Sequence, residues 1–314
     1  MSWLRWWVSI WDRRETAEPQ ALVRILLSLV ILVDWIQLGR LGLIVPLFGP
    51  EHLGGIGRPL QREAAGLWLY QVIPPEHVAV AAYVGVLVLA VMVGVGLLTR
   101  LAAAALLLLM AQLAIAMPGA DRGIDMLIRN MLLLLVFAHS HRAWSVDALI
   151  WRRASREVPA WPRYLIVMQL VVLYFTAGVQ KVSSAWTPFG GYSALYLVMR
   201  DPAFATISPD ALRTMYPLTQ ALTVASLLWE WAAPGLLLAL FYRDSRERGG
   251  RLRSALLRHR FRDVYLGLGI IFHIGTMVSL QLGIFPWAVL ALYPACFHPD
   301  ELSCQVRRAG SRGR

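Results

Sequence analysis

Eight apolar runs recur along this chain of 314 residues, at about 20–38, 77–98, 101–117, 124–139, 163–181, 217–242, 264–283 and 285–298. A helix needs about twenty apolar residues to cross the hydrocarbon core of a bilayer, and most of these runs meet or approach that length. With 58% hydrophobic and 16% charged residues, a chain of this size carries too much apolar surface for a soluble core. The pattern predicts an all-α, polytopic integral membrane helical bundle of about eight transmembrane helices, and no fixed-period repeat or separate soluble domain interrupts it. Residues 1–19 read as an interfacial, tryptophan-rich segment with no cleavable signal pattern, 20–300 as the transmembrane domain and 301–314 as a basic tail.

Charge orients the bundle. Arginines before the first run, at Arg100, from 142 to 163, from 243 to 262 and at the C-terminus would share one side, giving twenty-one basic residues there against six in the opposite loops. Positive charge stays inside, so both termini are expected to be cytoplasmic, and the 182–216 loop to face outward. The net charge of +11 is then a topology and lipid-contact signal, and nucleic acid is not expected as a partner. Cys296 and Cys304 show no metal spacing, which predicts neither a disulfide framework nor a zinc site. No HExxH, GxSxG, GxGxxG or P-loop occurs, and no metal is expected.

Ionisable groups inside the runs are costly in lipid and mark function or helix locking. Arg24 and Asp34 lie in the first run, Asp125 and Arg129 in the fourth, Glu230 in the sixth and His273 in the seventh. The four-residue spacing of Asp125 and Arg129 allows an intrahelical ion pair, and Arg24 and Asp34 read as cross-helix locks. Glu230, between Trp229 and Trp231, reads as an interfacial group reaching water, and His273 as either a core histidine or a ligand group.

One residue stands apart from all of these. Twenty-nine of the thirty basic residues are arginine, and Lys181, at the end of the fifth run, is the sole lysine. A desolvated amine can shed its proton where a guanidinium cannot, which makes Lys181 a candidate proton acceptor and not only an interfacial anchor. Ala177 and Gly178 precede it by one turn and permit close helix approach, while Trp186 and Tyr192 follow as a candidate lid.

The string YFTAGVQK at 174–181, with Trp186 and GYS at 191–193, closely resembles the catalytic-lysine stretch of the vitamin K-dependent γ-glutamyl carboxylase. VRILLSLVILVDW at 23–35, WSVD at 144–147 and FHIGTMVSLQLGIFPW at 272–287 resemble further segments of that family in the same order, over roughly residues 20 to 300. The pattern is also similar to bacterial members of the related horizontally transferred transmembrane (HTTM) family. The resemblance implies a multi-pass plasma (inner) membrane enzyme with its site on the extracytoplasmic side. Lys181 would be the base that deprotonates vitamin K hydroquinone or menaquinol, with O2 and CO2 as co-substrates. His273, Asp125, Trp186, Tyr192 and Tyr174 would line the quinone and substrate site, while Arg24, Asp34, Arg129 and Glu230 would be structural ions. Removing the phenolic proton lets oxygen add to the ring and creates a base able to take hydrogen from an unreactive carbon. Membrane lipid and quinone are the implied partners, with a protein or peptide substrate on the outer face.

Two departures bear on that expectation. The carboxylase carries an asparagine–histidine pair where this chain reads DRGIDMLIRN, placing Ile124 and Asp125 there. It also continues into a large lumenal domain that helps bind propeptide and glutamate, while this sequence ends at 314. The alternative is a non-catalytic, partner-binding or immunity-type membrane protein on the same scaffold.

Overall fold

A computed structural model describes residues 11–56, 74–151, 157–244 and 250–302, together with residues 5, 8 and 9. Trp3, Trp6, Trp7, Trp68, Cys304 and the tail from 303 onward lie outside the described residues. The chain divides into two compact units, one of residues 1–166 and 297–314, the other of residues 167–296.

The first unit is a sequential helical series, α1 (Glu18–Arg40), α2 (Glu76–Val95), α3 (Thr99–Ala116) and α4 (Gly123–Phe137), followed by the short α5 (Val146–Trp151). Neighbours in sequence are neighbours in space: α1 packs on α2, α2 on α3 and α3 on α4. Helix α1 shows why. Gln20, Arg24, Leu27, Ile31 and Trp35 recur every three or four residues and are buried, while Leu29, Val33 and Ile36 are exposed. A helix apolar on its exposed side as well as its packed side is built for hydrocarbon surroundings. At 23 residues α1 spans about 34 Å, enough to cross a bilayer core. Helix α4, with 15 residues, reaches only about 22 Å.

The ordered N-terminal segment is pinned by sheet pairing. β1 (Arg14–Thr16) runs antiparallel to β2 (Glu157–Pro159), with Glu15 opposite Val158. Behind this ribbon the Arg163 Nε donates to both carboxylate oxygens of Glu15 at 2.8 and 3.0 Å, and both side chains are buried.

Helix α6 (Trp161–Val179) carries the chain into the second unit, whose main elements are α7 (Tyr216–Trp231), α8 (Pro234–Asp244), α9 (Phe261–Ser279) and α10 (Phe285–Leu290). The run at 217–242 is not one straight helix: α7 and α8 meet at a 46° bend across Ala232 and Ala233. Pro234 is the cause, because it has no N–H to donate and its ring crowds the preceding turn. In all, five described helices, α1, α2, α3, α6 and α9, are long and apolar enough to cross a membrane, and α7–α8 makes a sixth if the bent pair is one span. The protein is all-helical apart from the β1–β2 ribbon among the described residues, and it is membrane-embedded.

Candidate functional site

On α6, Tyr174 and Gly178 are four residues apart, and Lys181 follows three later, so the three share one side of the helix and its extension. Lys181 lies just past the helix end, where its amide donates to the Gly178 carbonyl and its cation complements the C-terminal dipole. Gly178 decides what approaches that end. A Cβ there would lie 2.7 Å from Cδ1 of Trp231 and 3.0 Å from Cβ of Glu230, so only hydrogen fits against α7.

The close approach delivers Glu230 to Lys181. The ammonium Nζ donates to both Glu230 carboxylate oxygens at 2.6 Å, with the lysine side chain 19% exposed and the glutamate 6%. The same Nζ stands 4.3 Å from the centroid of the Trp186 ring. Glu230 therefore does not reach water, as an interfacial position would have it; it is buried and paired. Two opposite charges this close, largely out of water, stabilise each other only as a pair, and either alone is strongly disfavoured there.

One residue back, Trp229 turns to a second buried cluster. Its ring lies 4.4 Å from Tyr174 and stacks on Tyr265 at 5.2 Å, and its Nε1 donates to the Tyr265 carbonyl at 3.1 Å. Tyr174 joins two partners through its hydroxyl, His273 Nε2 at 2.7 Å and the Tyr293 hydroxyl at 2.9 Å. His273 is fully buried, and its Nδ1 has no hydrogen-bond partner among the described residues; nor does the Tyr265 hydroxyl. Each group in this chain can give or take a proton, with the roles set by the histidine tautomer.

The second unit thus brings Lys181 to Trp186 and Glu230, and Tyr174 to His273. Tyr192 sits in the following loop with a left-handed φ of 51°, its amide donating to the Thr187 carbonyl, and among the described residues it makes no hydrogen bond to Lys181. Sequence reading named Glu230 as a structural ion without pairing it with Lys181, and it missed Tyr265 and Tyr293. A signal existed for the first: Glu230 is the sole acid within the apolar runs from 163 onward, the natural counterpart of a sole lysine.

Asp125 belongs to the first unit and is engaged there. It closes a capping box at the start of α4, accepting from the Arg122 amide and side chain at 2.9 Å. Arg122 also reaches Asp34 of α1 at 2.6 Å, tying α1 to α4. The intrahelical Asp125–Arg129 pair allowed by the spacing does not form. Arg129 turns back to Asp121, which offers both oxygens at 2.6 and 2.7 Å, while Asp125 is already taken by Arg122. Arg24 donates to the carbonyls of Ser140 and Trp144 at 3.3 and 2.5 Å. Asp147 of the WSVD segment accepts from the Leu98 amide and from both the amide and hydroxyl of Thr99 at 2.8–2.9 Å, capping α3. Burial alone would raise its pKa, but these donors outweigh burial and hold the carboxyl below its ordinary value.

Membrane-length helices, an inward-facing set of ions and a lysine poised at a helix end define a polytopic membrane protein with an ionisable site. The chain belongs to the HTTM domain family, whose model matches residues 13–247. That match includes Lys181, Trp186 and Glu230, and ends before His273 and Tyr293. No solved structure matches the chain.

Proposed function

We propose that this protein is a membrane enzyme resembling the vitamin K-dependent carboxylases, in which Lys181, paired with Glu230, removes the phenolic proton of a reduced naphthoquinone. The observation that carries the reading is the bidentate contact of Lys181 Nζ with Glu230 at 2.6 Å. A buried ammonium is disfavoured and can shed its proton where an acceptor is at hand. Beside a carboxylate, its proton can pass to Glu230, leaving a neutral amine next to a neutral acid, a state that low dielectric favours because both charges vanish together. Lys181 then accepts the substrate proton at Nζ while Glu230 retains the first.

The surroundings suit an apolar aromatic substrate. Val182 and Phe189, 84% and 96% exposed, present apolar surface on either side of the Trp186 segment. His273, bonded to Tyr174, adds a buried polar group in the same unit. When bound with O2, the hydroquinone supplies the oxygenation that drives hydrogen removal from a carbon acid, with CO2 as the carboxylating co-substrate. In this reading α4, α7–α8 and residues 285–296 complete eight spans in the plasma membrane with cytoplasmic termini. The site then faces outward, toward a protein or peptide substrate.

The same contact favours a second reading, in which the pair is a packing device in a non-catalytic, partner-binding protein, as the arginine pairs of the first unit are. Purified protein supplied with reduced vitamin K and O2 separates the two. Epoxide formation by the wild type and its absence in Lys181→Met support catalysis. No epoxide from a folded wild type, with quinone failing to copurify, leaves the packing reading standing.

A further inference from the structure

One end of the first unit carries a half-open cavity of about 850 Å3, walled by the end of α2, the turn into α3 and the segment carrying α5. Arg100 and Arg142 line it, opposed by Glu18 and Asp147. Asp147 is already met by its three donors from Leu98 and Thr99 and by the charge of the buried Arg24 guanidinium, so Arg100 and Arg142 face one remaining carboxylate, Glu18. Both guanidiniums are anchored to neutral acceptors. Arg100 Nε donates to the Val136 carbonyl at 2.7 Å and Arg142 to the Glu157 carbonyl at 2.6 Å, contacts that fix position without cancelling charge. Neither arginine makes an ion pair among the described residues.

The rest of the lining is apolar and open: Leu101, Leu149 and Trp151 are 71%, 75% and 64% exposed. Leu101 sits at the start of the membrane-length helix α3, and Leu149 and Trp151 of α5 line the same cavity, at the level where headgroups meet hydrocarbon and indole rings partition. A small free anion would satisfy the arginines but leave that apolar wall bare. A neutral lipid would cover the wall and leave the charge unmet.

We propose that the cavity binds an anionic glycerophospholipid, its phosphodiester taken by Arg100 and Arg142 and its acyl chains lying against Leu101, Leu149 and Trp151. A singly charged phosphodiester matches the one positive charge left over once Arg24 offsets Asp147, and basic pockets between helix ends are suited to such headgroups. This site does not depend on any chemistry at Lys181.

The test uses the full chain, delipidated in detergent, with three probes: phosphatidylglycerol, phosphatidylcholine and glycerol 3-phosphate. The expected result is a rise in melting temperature with phosphatidylglycerol alone, and a loss of roughly a hundredfold in apparent affinity in Arg100→Gln/Arg142→Gln, from two charge-assisted contacts. Because both arginines also brace backbone carbonyls, a second measurement relies on the wild type only. Native mass spectrometry from an equimolar lipid mixture should show retained phosphatidylglycerol in excess over phosphatidylcholine. Equal retention of the two lipids, full stabilisation by glycerol 3-phosphate, or an unchanged shift in a monodisperse double variant each overturns the proposal.

Discussion

Both units hold paired ions, but the pairs that brace the first differ in kind from those around the candidate site of the second. In the first, the cations are arginines: Arg163 on Glu15, Arg122 between Asp34 and Asp125, Arg129 on Asp121, and Arg24 on two carbonyls. A guanidinium keeps its proton at any ordinary pH, so these contacts are permanent braces. In the second, Arg262 is likewise buried against Asp263, but the groups around the candidate site are Lys181 with Glu230, and His273 with Tyr174 and Tyr293, every one of which can exchange a proton. The contrast separates scaffold from candidate chemistry more sharply than burial does, because each set mixes exposures: Arg24 and Arg163 are buried but the Arg122 side chain is 45% exposed, and His273 is buried but Lys181 is 19% exposed.

If that division is right, the largest stability losses come from breaking the arginine braces. Glu15→Ala leaves Arg163 buried without its carboxylate and should cost about 3–5 kcal/mol, read as loss of folded protein in thermal unfolding. A small effect would place this pair with the movable groups. Next, Gly178→Leu forces a side chain into α7 and should cost about 1–3 kcal/mol. It should also abolish the Lys181–Glu230 pair while leaving the first unit's hydrogen-exchange protection unchanged.

Asp147→Asn is expected to be milder, about 1–2 kcal/mol, since the amide oxygen keeps part of the α3 cap. Its signature is in pH. The folded carboxyl lies below its ordinary value of 3.8, so its stabilisation is fully present above that value and is lost as pH falls through the lower folded one. Acid titration of the wild type should show that loss and the asparagine variant should lack it.

Much of the scaffold is legible in residue order, because lipid-exposed helices are apolar on all sides and announce themselves as runs. The bend before Pro234 was hidden inside the run 217–242, where apolar residues continue through the break. The β1–β2 ribbon was hidden because three-residue strands have no pattern to read. Lys181 stood out by composition, and Gly178 by its spacing from it. Local spacing misled at Arg129, where Asp121 in the preceding turn outcompeted Asp125 because Arg122 had already engaged the latter. Glu230 escaped because its flanking tryptophans suggest an interface, whereas tertiary contact at Gly178 buries it.

The central claim is that the second unit holds a proton-transferring pair, and Lys181→Arg tests it most directly. Arginine keeps the charge and can keep the contact to Glu230, so the variant should fold with a melting temperature near that of the wild type. It should form no quinone epoxide from reduced vitamin K and O2, since a guanidinium cannot offer a neutral nitrogen. Epoxide formation by this variant at the wild-type rate would contradict the account.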